Sequence, residues 1–281
     1  MNGVAEIGWL AEHYNSEAVR IIDCRFQLGD PSWGRKQYEE EHLPYALYFD
    51  LNKDLSGEVG VHGGRHPLPD IELFARKIGA AGIDKHTTVI AYDSQNGAMA
   101  SRLWWLLTYL GHEKVYILNG GFTAWKQAGL PTTDAIPVFE SKEFLPHLQS
   151  DMLVSMADVK NRIESGADFL LIDSREPIRY AGIEEPIDRK AGHIPTAVNS
   201  FWMDGVSAEG VFQGEKEQEA RFCMFDKEKE TIVYCGSGVT ACPNVLALKM
   251  AGFQDVKLYA GSWSDWISYD ENIVEKTQKI K

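Results

Sequence analysis

The sequence predicts an α/β protein built from two duplicated copies, each a parallel sheet covered by helices on both faces. Three observations lead there. Short motifs recur in the same order along the chain: RIIDCR at 20–25 and LLIDSR at 170–175, HLP at 42–44 and HIP at 193–195, TVIAYD at 88–93 and TIVYC at 231–235, NGGFTAW at 119–125 and AGSWSDW at 260–266. Their offsets lie between 141 and 151 residues, so the repeat is a whole domain and not a solenoid unit of ~20–50 residues. Short β-branched runs also alternate with stretches of helical spacing, and their apolar residues are consecutive, as in strands buried on both faces.

Taken in order, RIID, TTVIAY and KVYIL read as strands of the first copy, with AMASRLWWLLTYLG as a helix between the last two. LLID, TIVY and VKLY repeat the strand pattern in the second copy, where PNVLALKMAG supplies the helix. The copies are assigned to 1–135 and 151–281. Between them IPVFESKEFLPHLQS, 136–150, has two prolines and no sustained period, as a surface connection does. The tail after Trp266 has the amphipathic pattern of a closing helix.

Composition narrows the function classes. The net charge of −13 is spread evenly: residues 1–150 hold 13 basic and 19 acidic side chains, and 151–281 hold 15 and 22. Neither half offers a basic face for a phosphate backbone, so nucleic acid is not an expected partner. No apolar run approaches the ~18 residues of a membrane span, and the first residues lack a secretory pattern, which points to the cytoplasm. The four cysteines, Cys24, Cys223, Cys235 and Cys242, show no zinc-ligand spacing and read as thiols, so no metal is expected.

The stretch YCGSGVTAC, 234–242, carries the chemistry. A buried strand stops at Cys235, two glycines follow within three residues, and a helix begins. Ligands of open parallel sheets bind beyond the carboxyl ends of strands. Gly236 and Gly238 permit backbone angles closed to other residues, so the loop can turn its N–H groups inward as a nest for an anion, next to the positive end of a helix. Bringing a thiol from about 8.5 to roughly 6.5 requires about 2.7 kcal/mol of preferential thiolate stabilisation. A helix end gives at most about 2, so converging amides must supply the rest. Phosphatases of the C-x5-R type share this layout but need an arginine six positions after the cysteine, and position 241 is alanine. In the first copy Asp93 stands where Cys235 stands in the second, so only the second copy offers a thiol at that place. His42 and His193 persist in both copies and read as turn-forming, and Asp23/Arg25 and Asp173/Arg175 as local pairs.

IDSR, AGHIP, CGSGVTAC and AGSWSDW, each echoed in the first half, resemble the tandem rhodanese-domain sulfurtransferases over essentially the whole chain. CGSGVT is similar to the loop of the 3-mercaptopyruvate branch; the thiosulfate branch has Arg-Lys where this chain has Gly236 and Ser237. The resemblance implies an active site between two domains, only the second being competent. It implies a Cys235 persulfide that passes sulfur from a small-molecule donor to cyanide, a thiol or a small dithiol protein, with no cofactor. It assigns the donor's carboxylate to Arg179 and the loop of Gly236, Gly238, Val239 and Thr240, and makes Ser237 a partner in polarising the leaving enolate. A second arginine of the animal enzymes aligns with Ile187, leaving Arg189 as a possible substitute. His66 in GGRHPLP matches a relay histidine whose aspartate partner aligns with Asn52, so both catalysis and packing remain open for it. Two other functions stay open: a thiosulfate sulfurtransferase with the same chemistry, and a non-catalytic rhodanese pair acting as a binding module. Cys242 lies close enough in sequence for a redox role to be considered.

Overall fold

In the computed structural model, which describes residues 3–277, the chain forms two compact units. The first comprises Met1–Gly57, Leu68–Gln149 and Val206–Phe212; the second comprises Glu58–Pro67, Ser150–Gly205 and Gln213–Lys281. Residues 58–67 therefore pack with the second unit although they lie early in the chain. The connection 136–149 belongs to the first unit, where Lys142 N–H donates to Gly79 O and His147 N–H to Leu110 O.

The first sheet contains β1 (Val4–Ala5), β2 (Val19–Asp23), β3 (Ala46–Tyr48), β4 (Thr88–Tyr92) and β5 (Val115–Leu118), in the order β1-β5-β4-β2-β3. The second contains β6 (Leu153–Val154), β7 (Leu170–Asp173), β8 (Val198–Asn199), β9 (Thr231–Tyr234) and β10 (Val256–Tyr259), in the order β6-β10-β9-β7-β8. All pairings are parallel. The chain moves across each sheet first one way and then the other, and right-handed crossovers put the connections of opposite sense on opposite faces. The predicted fold class is the one observed.

The recurring motifs are one scaffold built twice. In the first unit Asp23 takes the Arg25 guanidinium in a buried pair, and Arg25 Nη2 reaches on to Glu41 O, the residue before His42. Tyr92, at the end of β4, donates its hydroxyl to Asp23 and accepts the N–H of Leu43, the residue after His42. The second unit repeats this with Asp173, Arg175, Gly192 O, Tyr234 and Ile194 N–H. Burial alone would lower the pKa of Arg25 and Arg175, and the adjoining aspartate outweighs it in both, so both rise. His42 and His193 bond the carbonyls of Tyr38 and Tyr180 and stack on those rings, the turn-forming role expected of them. Around each scaffold lies an aromatic core, with Tyr92 and Trp125 in one unit and Tyr234, Tyr259, Trp263 and Trp266 in the other.

The closing helix expected after Trp266 is absent from the described residues. Trp266 Nε1 donates to Ile273 O, Asn272 Nδ2 donates to Trp266 O, and Glu275 forms an isolated antiparallel bridge with His193, so these contacts hold the segment in a non-helical path. Residues 278–281 of that tail lie outside the described residues.

Candidate active site

Cys235 follows β9 directly at the carboxyl end of the second sheet and is 1% exposed. Its backbone is pinned on both sides: its N–H donates to Ser262 Oγ at 3.1 Å and its carbonyl accepts the Trp263 N–H at 3.0 Å. Ser264 N–H donates to Gly236 O, so the turn after β10 clamps the start of the loop. Residues 235–241 then curl into the helix Cys242–Met250, whose first turn carries Pro243, a residue suited to that position because its missing N–H has no partner to lose.

The two loop glycines serve different purposes. Gly238 takes φ +75°, and a Cβ there would lie 2.1 Å from Ala260 O. Gly236 does not adopt a left-handed angle. A Cβ on it would face the guanidiniums of Arg65 at 3.0 Å and Arg179 at 3.6 Å, so its need is for space beside cations and not for an unusual backbone angle. Cationic side chains from distant sequence, Arg65 and the expected Arg179, thus stand beside a loop that has no basic residue of its own.

The first unit shows what this loop geometry can hold. Asp93 occupies the position equivalent to Cys235, and its carboxylate accepts the N–H groups of Gln95 and Gly97 on one oxygen and of Met99 and Ala100 on the other, at 2.7 to 2.9 Å. Burial pushes the Asp93 carboxyl above its ordinary range while these four amides pull it down. The parallel extends to the clamping turn, where Gly121 has φ +57° as Ser262 does. A loop of this type is an anion nest, closed in the first unit by the protein's own side chain.

His66 Nδ1 and Ser237 Oγ lie 2.8 Å apart, both buried, so the structure brings these two predicted residues together. The strap Glu58–Pro67 that carries His66 is fastened by Gly63 N–H to Asp265 Oδ1 and Arg65 N–H to Ser264 Oγ. Asp265 is itself held by the Tyr259 hydroxyl. Asn52 lies on an exposed turn of the first unit, where its N–H donates to the buried Asp50. Val239 is buried and its carbonyl accepts the Cys242 N–H, while Thr240 is half-buried. Cys242 Sγ–H points to Gly238 O at 3.3 Å, the contact of a packed thiol.

Arg179 lies in the short helix Pro177–Tyr180 and is held by two carboxylates: Nε and Nη2 donate to Glu185, and Nη2 also reaches Asp188 at 3.1 Å. Arg189 does not join this group. Its guanidinium bonds Ile267 O and faces Asp270, with the side chain 57% exposed, and Ile187 is exposed as well. Arg65, Ser262, Glu185 and Asp188 escaped the sequence reading. The arginine next to His66 was the available signal for the first; the others are recognisable only once the chain has folded.

A duplicated parallel α/β chain carries a cysteine at the end of a central strand in one copy and, at the equivalent position of the other, a carboxylate held by four loop amides. The chain belongs to the rhodanese-like domain family, whose model matches residues 6–128 and 155–269. It is 41% identical over 265 residues to a probable 3-mercaptopyruvate sulfurtransferase of Pseudomonas aeruginosa, covering 92% of this chain and 93% of that one. It is 35% identical over 257 residues to a putative thiosulfate sulfurtransferase of Mycobacterium tuberculosis, covering 90% and 89%. The crystal structure of SseA from Escherichia coli, a 3-mercaptopyruvate sulfotransferase, superposes with a TM-score of 0.82 at 31% identity, covering 94% of this chain and all of that one.

Proposed function

We propose that the protein is a sulfurtransferase that takes sulfur from 3-mercaptopyruvate through a persulfide on Cys235. The Cys235 thiolate attacks the donor's sulfur; the carbon–sulfur bond breaks, its electron pair leaves on the enolate of pyruvate, and a proton then converts the enolate to pyruvate. The outer sulfur stays bonded to Cys235, sheltered by the loop amides. An acceptor thiolate or cyanide attacks that sulfur and frees the Cys235 thiolate for the next cycle.

The observation that carries this reading is the His66–Ser237 hydrogen bond beside the cysteine loop. A bonded imidazole and hydroxyl support this reading because an enolate leaving group needs a proton donor, a need that sulfite departing from thiosulfate does not have. Thiosulfate is the second donor to test, because a relative of 35% identity is named for it and the arginines beside Gly236 suit a sulfonate as well as a carboxylate. The reaction is placed in the cytoplasm, where the four free cysteines stay reduced.

Turnover of mercaptopyruvate with cyanide as acceptor should follow ping-pong kinetics and vanish in Cys235→Ser. A Cys235→Ser protein that still turned over would end the proposal, and a wild type inert towards both donors would leave the binding-module reading in its place.

A further inference from the structure

Around the cysteine loop, three arginines meet three carboxylates. Arg175 pairs with Asp173 and Glu185, Arg179 with Glu185 and Asp188, and Arg65 with Asp188. Formal charge within the group cancels, and both guanidiniums that face Gly236 are already paired with carboxylates.

The two carboxylates that hold Arg179 differ in how firmly they are fixed. Glu185 accepts bonds from both Arg175 and Arg179 and from the N–H groups of Ile187 and Asp188, which makes it part of the framework. The Asp188 carboxylate accepts bonds from Arg65 and Arg179, the two cations beside Gly236, and its side chain is 4% exposed. Asp188 also lies on a segment without helix or strand, between the left-handed glycines Gly182 and Gly192. Arg65 Nε, meanwhile, is buried with no hydrogen-bond partner, so the group retains donor capacity that Asp188 does not fill.

We propose that Asp188 is the resting occupant of the donor's anion anchor, and that the donor's carboxylate or sulfonate binds by exchanging with it at Arg65 and Arg179. No bond is made or broken in this step; one carboxylate replaces another on the same two guanidiniums. Asp93 is the precedent within the chain, a side-chain carboxylate seated in a nest that suits a ligand anion. Asp188 differs in that its carboxylate is held by two side chains, whereas that of Asp93 is held by backbone amides. It therefore sets donor affinity: its competition weakens binding of anionic donors, and its return helps expel the anionic product.

This inference rests on the sulfurtransferase reading for its substrate, but its test does not. Asp188→Asn keeps the size of the side chain and removes the competing charge. Sulfate and pyruvate titrated calorimetrically into wild type and variant should bind the variant about tenfold more tightly, since one like charge close to the anion is gone. KM for an active donor should fall in step while kcat does not rise. Glu184→Gln, an exposed change on the same segment, should alter neither value, and Asp188→Ser repeats the test if the asparagine variant does not fold. Unchanged or weaker anion binding in a folded variant would overturn the inference and make Asp188 a fixed support for the arginines. Tighter sulfate binding in a protein that transfers no sulfur would uphold it and remove only the proposed function.

Discussion

Replacing Gly238 by alanine tests whether the shape of the cysteine loop governs both stability and turnover. A left-handed angle costs a non-glycine residue roughly 1 to 2 kcal/mol. The new Cβ would also sit 2.1 Å from Ala260 O and 2.9 Å from its carbonyl carbon. An ordinary carbon–oxygen contact is about 3.3 Å, so loop and turn must part by roughly 1 Å. That turn holds Cys235 and Gly236 through Trp263 and Ser264, so the displacement passes to the sulfur. The combined loss of stability should be roughly 3 kcal/mol, and a shift of roughly 1 Å at a reacting atom should lower kcat about 10²-fold. Gly236→Ala is the control for stability: its backbone angle is ordinary and its nearest neighbour is the flexible end of Arg65, so it should cost well under half as much. Urea unfolding of the three proteins and donor turnover give the two readouts. Gly238→Ala with stability within roughly 0.5 kcal/mol of wild type and undiminished turnover would refute the reasoning.

Two further outcomes follow from other contacts. Glu230 takes Arg162 in a two-pronged pair and also Lys257, and the Arg162 bonds lead in holding its pKa down, to about 2. A depressed carboxylate stabilises the fold above its unfolded pKa and loses that contribution as pH falls towards the folded value. With partial exposure discounted, Glu230→Gln should cost about 1 to 2 kcal/mol at pH 7 and nothing measurable near pH 2, as read from denaturation at several pH values; a cost independent of pH would contradict the assignment. Ser237→Ala removes a hydrogen-bond partner of His66 and should lower kcat for mercaptopyruvate by about 10²-fold, with thiosulfate turnover changing far less, because only the enolate needs a proton. Equal losses for both donors in steady-state assays would remove the proton relay from the mechanism.

The central strands were legible because RIID, TVIAY, LLID and TIVY are buried on both faces and spell that out as consecutive apolar residues. The edge strands β1, β6 and β8 have two residues each, too few to carry a period, and went unread. Cys235 and Ser237 were legible because their loop follows β9 without interruption. His66 matched by motif, but its numbering placed it in the first copy, whereas the strap that carries it packs in the second unit. Ion-pair partners such as Asp188 and Arg65 are 123 residues apart, and no local pattern announces such a pairing. The repeated IDxR and HxP motifs read correctly as structural because the copy with Asp93 in place of the cysteine retains them.

Sulfur transfer by this protein requires Cys235 to carry the sulfur. Wild-type protein incubated with 3-mercaptopyruvate in the absence of any acceptor, then measured as an intact mass and mapped by peptides, should gain a single sulfur atom on Cys235 and lose it on addition of cyanide. An unchanged mass with either donor, or a sulfur found on Cys24, Cys223 or Cys242 in its place, would contradict it.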